Sequence, residues 1–321
     1  MKHTMKQAQS GRMGAAPDSG SAALARHQQR ALLRRAVVVW MADVNTIESL
    51  VAEQARDAWQ GEWLSAAELA RQSRLHFAAD RRLFGAAHRF LRWVLSQHAA
   101  AAPACWRFVS NALGRPELAT RSACRRHRLR FNLSHTHDLV AVALSHGVDV
   151  GVDVEHQARE MALDELLPSA ISAVERQWFH ALAPVERSAA FTGLWTLKES
   201  LLKAYGVGIG ENLGQLSLLK SWQQPQLVLA TPTALPASEG RAHVVLADAD
   251  GGYALAVSAL AALSAVSDPL PETMSPQRRR VLVHDLRPGH APARLRVCLA
   301  VRHLPEARTA PQTSTLSSPQ C

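Results

Sequence analysis

Apolar and polar positions follow several different rhythms along this chain. Val37, Val38, Val39 and Trp40 form a short continuous apolar run, the pattern of a buried strand. Ser65-Ala66-Ala67-Glu68 has the spacing of a capping box opening a helix, and Asp80 stands where it could cap a second one. Behind it Leu83, Phe84, Ala87, Leu91, Val94 and Leu95 recur at helical spacing, which predicts a helix with one buried face. Asn111 to Pro116 reads as a loop. From Leu129 to Glu155 the period drops to two. Arg128–Leu133 and Leu139–Leu144 read as strands, His146-Gly147 as a turn, and Val148–Glu155 alternates Val, Asp, Val, Gly, Val, Asp, Val, Glu. The segment predicts a β-meander. Residues 161–205 are mainly helical, and strands are expected again at Leu227–Leu229, His243–Leu246 and Tyr253–Val257.

These elements divide the chain into an N-terminal extension, 1–36, expected to be disordered, an N-terminal half, 37–147, and a C-terminal half, 148–263. Each half carries helices and a small set of strands, which indicates an α+β fold and not a parallel βαβ sheet. No Gly-rich phosphate loop of either common type is present. Residues 264–321 turn to Pro, Ser, Arg and Thr. They are expected to be mostly disordered, although Val281–Val283 and Leu295–Val301 have strand character.

Composition narrows the classes. With 47% hydrophobic and 20% charged residues, the 321-residue chain can bury a real core. No run approaches the ~20 apolar residues of a membrane helix, and the first residues lack the apolar middle of a secretory signal. Cysteines at 105, 124, 298 and 321 form no Cys-x-x-Cys pair, so a reducing, cytoplasmic setting is expected. The net charge of +9 attracts polyanions. A nucleic acid, or a phosphate-bearing ligand together with an acidic protein partner, would satisfy it equally.

Three segments carry candidate chemistry. In Gly151-Val152-Asp153-Val154-Glu155 the two carboxylates project from one side of a strand while Val150, Val152 and Val154 face the core. Gly151 leaves room on the polar side. Paired carboxylates repel, and a hard cation such as magnesium relieves the repulsion; an ordinary solvated strand face is the plainer reading. In Trp195-Thr196-Leu197-Lys198-Glu199-Ser200-Leu201-Leu202-Lys203, Glu199 and Lys203 sit four apart at the edge of an apolar stripe. A helix-stabilising pair accounts for them when taken alone. Lys198 falls in the middle of that stripe, where a lysine must snorkel, pair with a carboxylate or meet a ligand. The third segment is Phe131-Asn132-Leu133-Ser134-His135-Thr136, a strand ending in small polar residues and a histidine. His137 and His146 raise a zinc reading, which no cysteine or tight His spacing supports.

In this order and spacing, with Asp153 and Glu199 46 positions apart, the three segments resemble the Sfp-type 4′-phosphopantetheinyl transferases. The resemblance extends over about 37–263, through Gly114-Arg115-Pro116 upstream and Tyr253–Val257 downstream. It implies two similar α+β halves related by a pseudo-twofold axis, with coenzyme A in the cleft between them. It implies Mg²⁺ held by Asp153, Glu155 and Glu199, and Lys203 at the pyrophosphate with Lys198 as an auxiliary cation. It implies Ser134 and His135 at the coenzyme A phosphates, and Arg115, Arg71 and Arg74 toward the nucleotide. The activity implied is transfer of phosphopantetheine from coenzyme A to a serine of an apo acyl or peptidyl carrier protein. Glu199 is then the general base, with Glu155 as competitor, in a monomer that needs neither nucleic acid nor membrane. A basic nucleic-acid-binding protein without enzymatic activity is the alternative. It leaves the Asp153/Glu155 face and Lys198 without a role.

Overall fold

The structure is a computed structural model and describes residues 33, 36–57, 59–112, 114–119, 128–158, 163–207, 213–218, 228–229, 242–260, 262–264, 278–290 and 294–301. The N-terminal half runs β1 (Ala36–Asp43), α1 (Val44–Asp57), α2 (Ala66–Ser73), α3 (Ala78–His98), β2 (Phe108–Ser110), β3 (Pro116–Leu118), β4 (Leu129–Thr136) and β5 (Leu139–His146). The C-terminal half runs β6 (Val150–His156), α4 (Leu163–Ala170), α5 (Ala173–Ala181), α6 (Pro184–Tyr205), β7 (Leu216–Ser217), β8 (Val228–Leu229), β9 (Ala242–Ala249), β10 (Tyr253–Ala259) and β11 (Ala262–Ser264). Two further strands follow, β12 (Arg278–Asp285) and β13 (Arg294–Val301).

The fold is α+β, in four layers. One sheet has the order β11-β12-β1-β5-β4 and the other β13-β9-β10-β6. Their inner faces meet in a shared apolar core built by Val37, Val39, Met41, Leu139 and Ala141 on one side and Val150, Val152, Val154, Leu255 and Val257 on the other. Helices cover the outer faces. Phe90, Leu91 and Val94 of α3 pack with Val38, Val140 and Val142, and Phe191, Leu194, Leu197 and Leu201 of α6 pack with Leu246, Ala254 and Ala256. Strands with both faces covered read as continuous apolar runs, hence Val37-Val38-Val39. Leaving aside the small two-stranded sheets β2-β3 and β7-β8, the two halves share one order: β1-β5-β4 in the first and β6-β10-β9 in the second.

Local signals explain most boundaries. Ser65 and Glu68 complete the capping box of α2, and Ser172 and Glu175 complete another at α5. Gly206, in the left-handed conformation, ends α6. Asp80 does not cap α3: that helix begins at Ala78, with Phe77 preceding it and no side-chain cap.

Two expectations are corrected. The segment 129–155 is not a meander. β4 and β5 pair with each other, but β6 leaves them and pairs with β10, because its valines are needed on the facing side of the shared core. The described residues of the tail, 278–290 and 294–301, include two strands where the composition of 264–321 pointed mostly to disorder. β12 lies parallel to β1 over 36–41 and β13 antiparallel to β9, and Val281 is fully buried. The 1–36 extension lies outside the described residues up to Leu33, which is itself buried in the core, as is Ala36. Among the described residues no helix is long and apolar enough to cross a membrane.

Candidate functional site

The site forms where β4, the edge of one sheet, runs beside β6, the edge of the other, with α6 lying across β6. Gly151 makes the crossing possible. A Cβ there would stand 2.5 Å from the Ala204 nitrogen and closer still to the Ser200 carbonyl oxygen, so the helix backbone rests directly on the strand. The contact brings the two acidic residues of β6 under the helix turns that carry Glu199 and Lys203.

Asp153, Glu155 and Glu199 are all buried, with 1%, 8% and 6% of their surface exposed. Lys203 supplies the local counter-charge. Its Nζ donates to Asp153 Oδ1 at 2.5 Å and to Ser134 Oγ at 3.1 Å, and stands 3.5 Å from Glu199 Oε2. Ser134 Oγ in turn donates to Asp153 Oδ1 at 2.8 Å. Burial works against the Lys203 charge, but Asp153 and Glu199 hold its pKa above the usual lysine value. Glu199 goes the other way. Burial, and then the negative charges of Asp153 and Glu155, outweigh Lys203 and push its pKa up to about 7.

One ammonium does not satisfy this group of acids. Asp153 Oδ2 is buried and has no hydrogen-bond partner among the described residues, a position that costs free energy unless a cation or donor meets it. Among the described residues no three His, Cys, Asp or Glu side chains are already drawn into a ligating cluster. The donor set is nonetheless all oxygen, which suits a hard divalent ion.

Strand β4 faces this group with alternate residues. Asn132 Oδ1 accepts the Val152 N–H at 3.0 Å, Ser134 reaches Asp153, and Thr136 Oγ1 donates to Glu155 Oε2 at 2.9 Å. Sequence reasoning missed Asn132 and Thr136. Their signal was parity, since both lie two positions from Ser134 and so share its side of the strand. His135, on the other face, is exposed; partial burial of its ring and then the nearby Lys203 charge lower its pKa.

The remaining candidates lie elsewhere. Lys198 is not an auxiliary cation at a phosphate. It is 1% exposed, and its Nζ is held by Glu175 Oε2 at 2.5 Å and by the Ala170 and Leu213 carbonyls at 2.8 and 2.9 Å. Arg115 is a brace where an open guanidinium was expected. It bridges the carbonyls of Ala204, Val150 and Phe131 at 3.0, 3.3 and 3.5 Å, tying the end of α6 to β6 and β4. Arg71 and Arg74 are exposed at the end of α2, with the Arg71 guanidinium 5.6 Å from the Phe84 ring centre. Among the described residues neither is joined to the carboxylates.

The chain is similar to several known proteins. Residues 149–258, which include β6, α6 and β10, match the model of the 4′-phosphopantetheinyl transferase superfamily. The 4′-phosphopantetheinyl transferase HetI of Nostoc sp. is 29% identical over 201 residues, covering 63% of this chain and 81% of that protein. The 4′-phosphopantetheinyl transferase AcpT of Salmonella typhimurium is 32% identical over 114 residues, 34% of this chain and 59% of that one. Among solved structures, the holo-[acyl-carrier-protein] synthase of Thermotoga maritima aligns with a TM-score of 0.27 at 24% identity, over 35% of this chain and 62% of that one. Over the matched residues the chain is similar to 4′-phosphopantetheinyl transferases, the kind of protein that its motifs resemble.

Proposed function

We propose that this chain, as a member of the 4′-phosphopantetheinyl transferase superfamily, moves the 4′-phosphopantetheine group of coenzyme A to a serine of an apo acyl or peptidyl carrier protein, releasing adenosine 3′,5′-bisphosphate. The observation that carries the reading is the trio of buried carboxylates beside Lys203, with one oxygen of Asp153 left without a donor among the described residues. Asp153, Glu155 and Glu199 are the residues that would hold Mg²⁺. A bound Mg²⁺ would neutralise the diphosphate of coenzyme A and stabilise the charge growing on the leaving phosphate.

The chain's own residues supply the rest. Glu199 is the carboxylate that would accept the proton: without metal its pKa is pushed up to about 7 by burial and by Asp153 and Glu155, and a bound Mg²⁺ would lower it and keep the group ionised. As the carrier serine oxygen bonds to the β-phosphorus, its O–H bond breaks and the proton passes to the Glu199 carboxylate. The bond from that phosphorus to the bridging oxygen breaks, and the electron pair leaves with the adenosine 3′,5′-bisphosphate. Lys203 would offer a second positive charge to the diphosphate, and Ser134, bonded to Asp153 and Lys203, and the exposed His135 are the residues that would meet the remaining phosphate oxygens. Coenzyme A would occupy the cleft between the halves, and the shared strand order of the two halves supports an axis relating them. Acceleration comes mainly from alignment and charge neutralisation, as phosphoryl transfer generally requires. The basic surface suits an acidic carrier through steering.

Incubation with coenzyme A, Mg²⁺ and a panel of apo acyl and peptidyl carriers should add one phosphopantetheine to at least one carrier, read by mass spectrometry, and excess chelator should stop the addition. A panel that stays unmodified with Mg²⁺ present, or transfer that survives chelation, would sink the reading.

A further inference from the structure

The seam between the halves holds a side chain that the transferase reading leaves without a role. Thr136 ends β4 in the N-terminal half, and Glu155 lies near the end of β6 in the C-terminal half. Both are buried, 7% and 8% exposed, and the Thr136 hydroxyl donates to Glu155 Oε2 at 2.9 Å. We propose that Thr136 is a positioning residue for Glu155: its hydroxyl fixes the carboxylate in the attitude from which it can share a divalent cation with Asp153 and Glu199. The inference rests on the transferase reading above and adds to it a residue from the opposite half.

The hydroxyl is itself held in place. Thr136 pairs with Leu139 in the β4–β5 ladder, closing a two-residue turn at His137 and Asp138 in which His137 adopts φ +50°. Two bonds secure the turn: the Asp138 carbonyl accepts the Val44 N–H at 2.9 Å, and Asp138 Oδ1 accepts the Tyr253 hydroxyl at 2.9 Å. A β-branched side chain has few χ1 choices, so few orientations compete with the one that sets Oγ1 on Glu155. His137 Nδ1 lies 3.3 Å from the same oxygen. Because the hydroxyl proton points to Glu155, the network assigns an Nδ1–H donating to Oγ1. Glutamate, by contrast, has three side-chain torsions to order before it can ligate. Partners that orient a ligating carboxylate typically change metal affinity 10–100-fold.

A purely structural role for the bond, holding β4 against β6, is the rival account. The seam does not depend on it, because Asn132 already bonds the Val152 N–H and Arg115 ties β4 to β6 and α6. The two accounts therefore separate on different readouts.

The test compares wild type, Thr136→Val and Thr136→Ser by calorimetric titration with Mn²⁺ in the absence of coenzyme A, with thermal melting and transfer kinetics alongside. The isosteric T136V should bind Mn²⁺ about 10–100-fold more weakly. Its kcat should fall by a similar factor, with KM for coenzyme A unchanged and melting temperature close to wild type. T136S, which restores the hydroxyl, should recover most of the affinity. Wild-type Mn²⁺ affinity in T136V, or loss of its folded state, overturns the proposal in favour of a structural hydroxyl. A wild type that binds no Mn²⁺ overturns it outright. If the wild type binds Mn²⁺ but modifies no carrier, the transferase reading fails alone, and the affinity comparison still decides Thr136.

Discussion

Lys198→Ala is expected to cost about 3–5 kcal/mol of stability, the range for removing one partner of a buried ion pair. The ammonium satisfies the Ala170 and Leu213 carbonyls as well as Glu175, which is fully buried. Glu175 is itself committed, since it accepts the Ser172 and Leu218 N–H groups, each at 2.7 Å, and caps α5. Without the lysine a carboxylate and two carbonyls remain in a dry interior. Burial already lowers the Lys198 pKa against the pull of Glu175, so the pair offsets a large desolvation cost. Combining Lys198→Met with Glu175→Gln removes both charges and should recover part of the loss. Urea unfolding reads the effect. The folded fraction of Lys198→Met should keep the wild-type KM for coenzyme A. A small stability loss with a large rise in that KM would return Lys198 to the phosphates.

Glu199→Gln should lower transfer by about 10²–10³, the usual scale for removing one electrostatic group at a reacting centre, while making the metal-free protein more stable at pH 8. The sign follows from the raised pKa. At pH 4 Glu199 is protonated in the folded state and mostly protonated in the unfolded one, so the substitution changes little. As pH rises from about 4.5 to about 7 the unfolded chain ionises first, and the folded state loses stability through the window. Above it the full cost applies, on the order of 3 kcal/mol. The melting temperature of Glu199→Gln should therefore equal wild type at pH 4 and exceed it by several degrees at pH 8. Parallel melting curves at the two pH values, or an active Glu199→Gln enzyme, would remove Glu199 from both roles. Asp153→Asn should also abolish transfer, since the same group of acids loses the residue that Lys203 and Ser134 share.

Much of this site was legible because strand parity and helical phase are local. Asp153 and Glu155 had to share a side of β6, and Gly151 had to leave space there, although only the packed structure shows that α6 fills it. What sequence could not supply was the identity of distant partners. Lys198 was visibly out of place in its apolar stripe, but nothing in the sequence singled out Glu175, 23 positions earlier, as its partner. Arg115 matched a nucleotide-facing position by motif, while three carbonyls from separate segments claim its guanidinium. The meander failed for a similar reason. Alternation fixes which way β6 faces, not which strand lies beside it, and β10 is about a hundred residues further on. Thr136 carried the right parity, but a threonine at a strand end has no pattern of its own.

The two late strands have a consequence for how the molecule meets other copies of itself. β12 covers the side of β1 away from β5, and β13 covers the side of β9 away from β10. Both covered strands would otherwise present long rows of unpaired amides and carbonyls, a ready template for edge-to-edge pairing between chains. A stretch rich in Pro, Ser and Arg thus supplies the neighbours of β1 and β9 and moves the open edges of both sheets outward. Proteolytic trimming ahead of Arg278 would bare β1 and β9 for pairing with other chains before any residue of the acidic centre was touched.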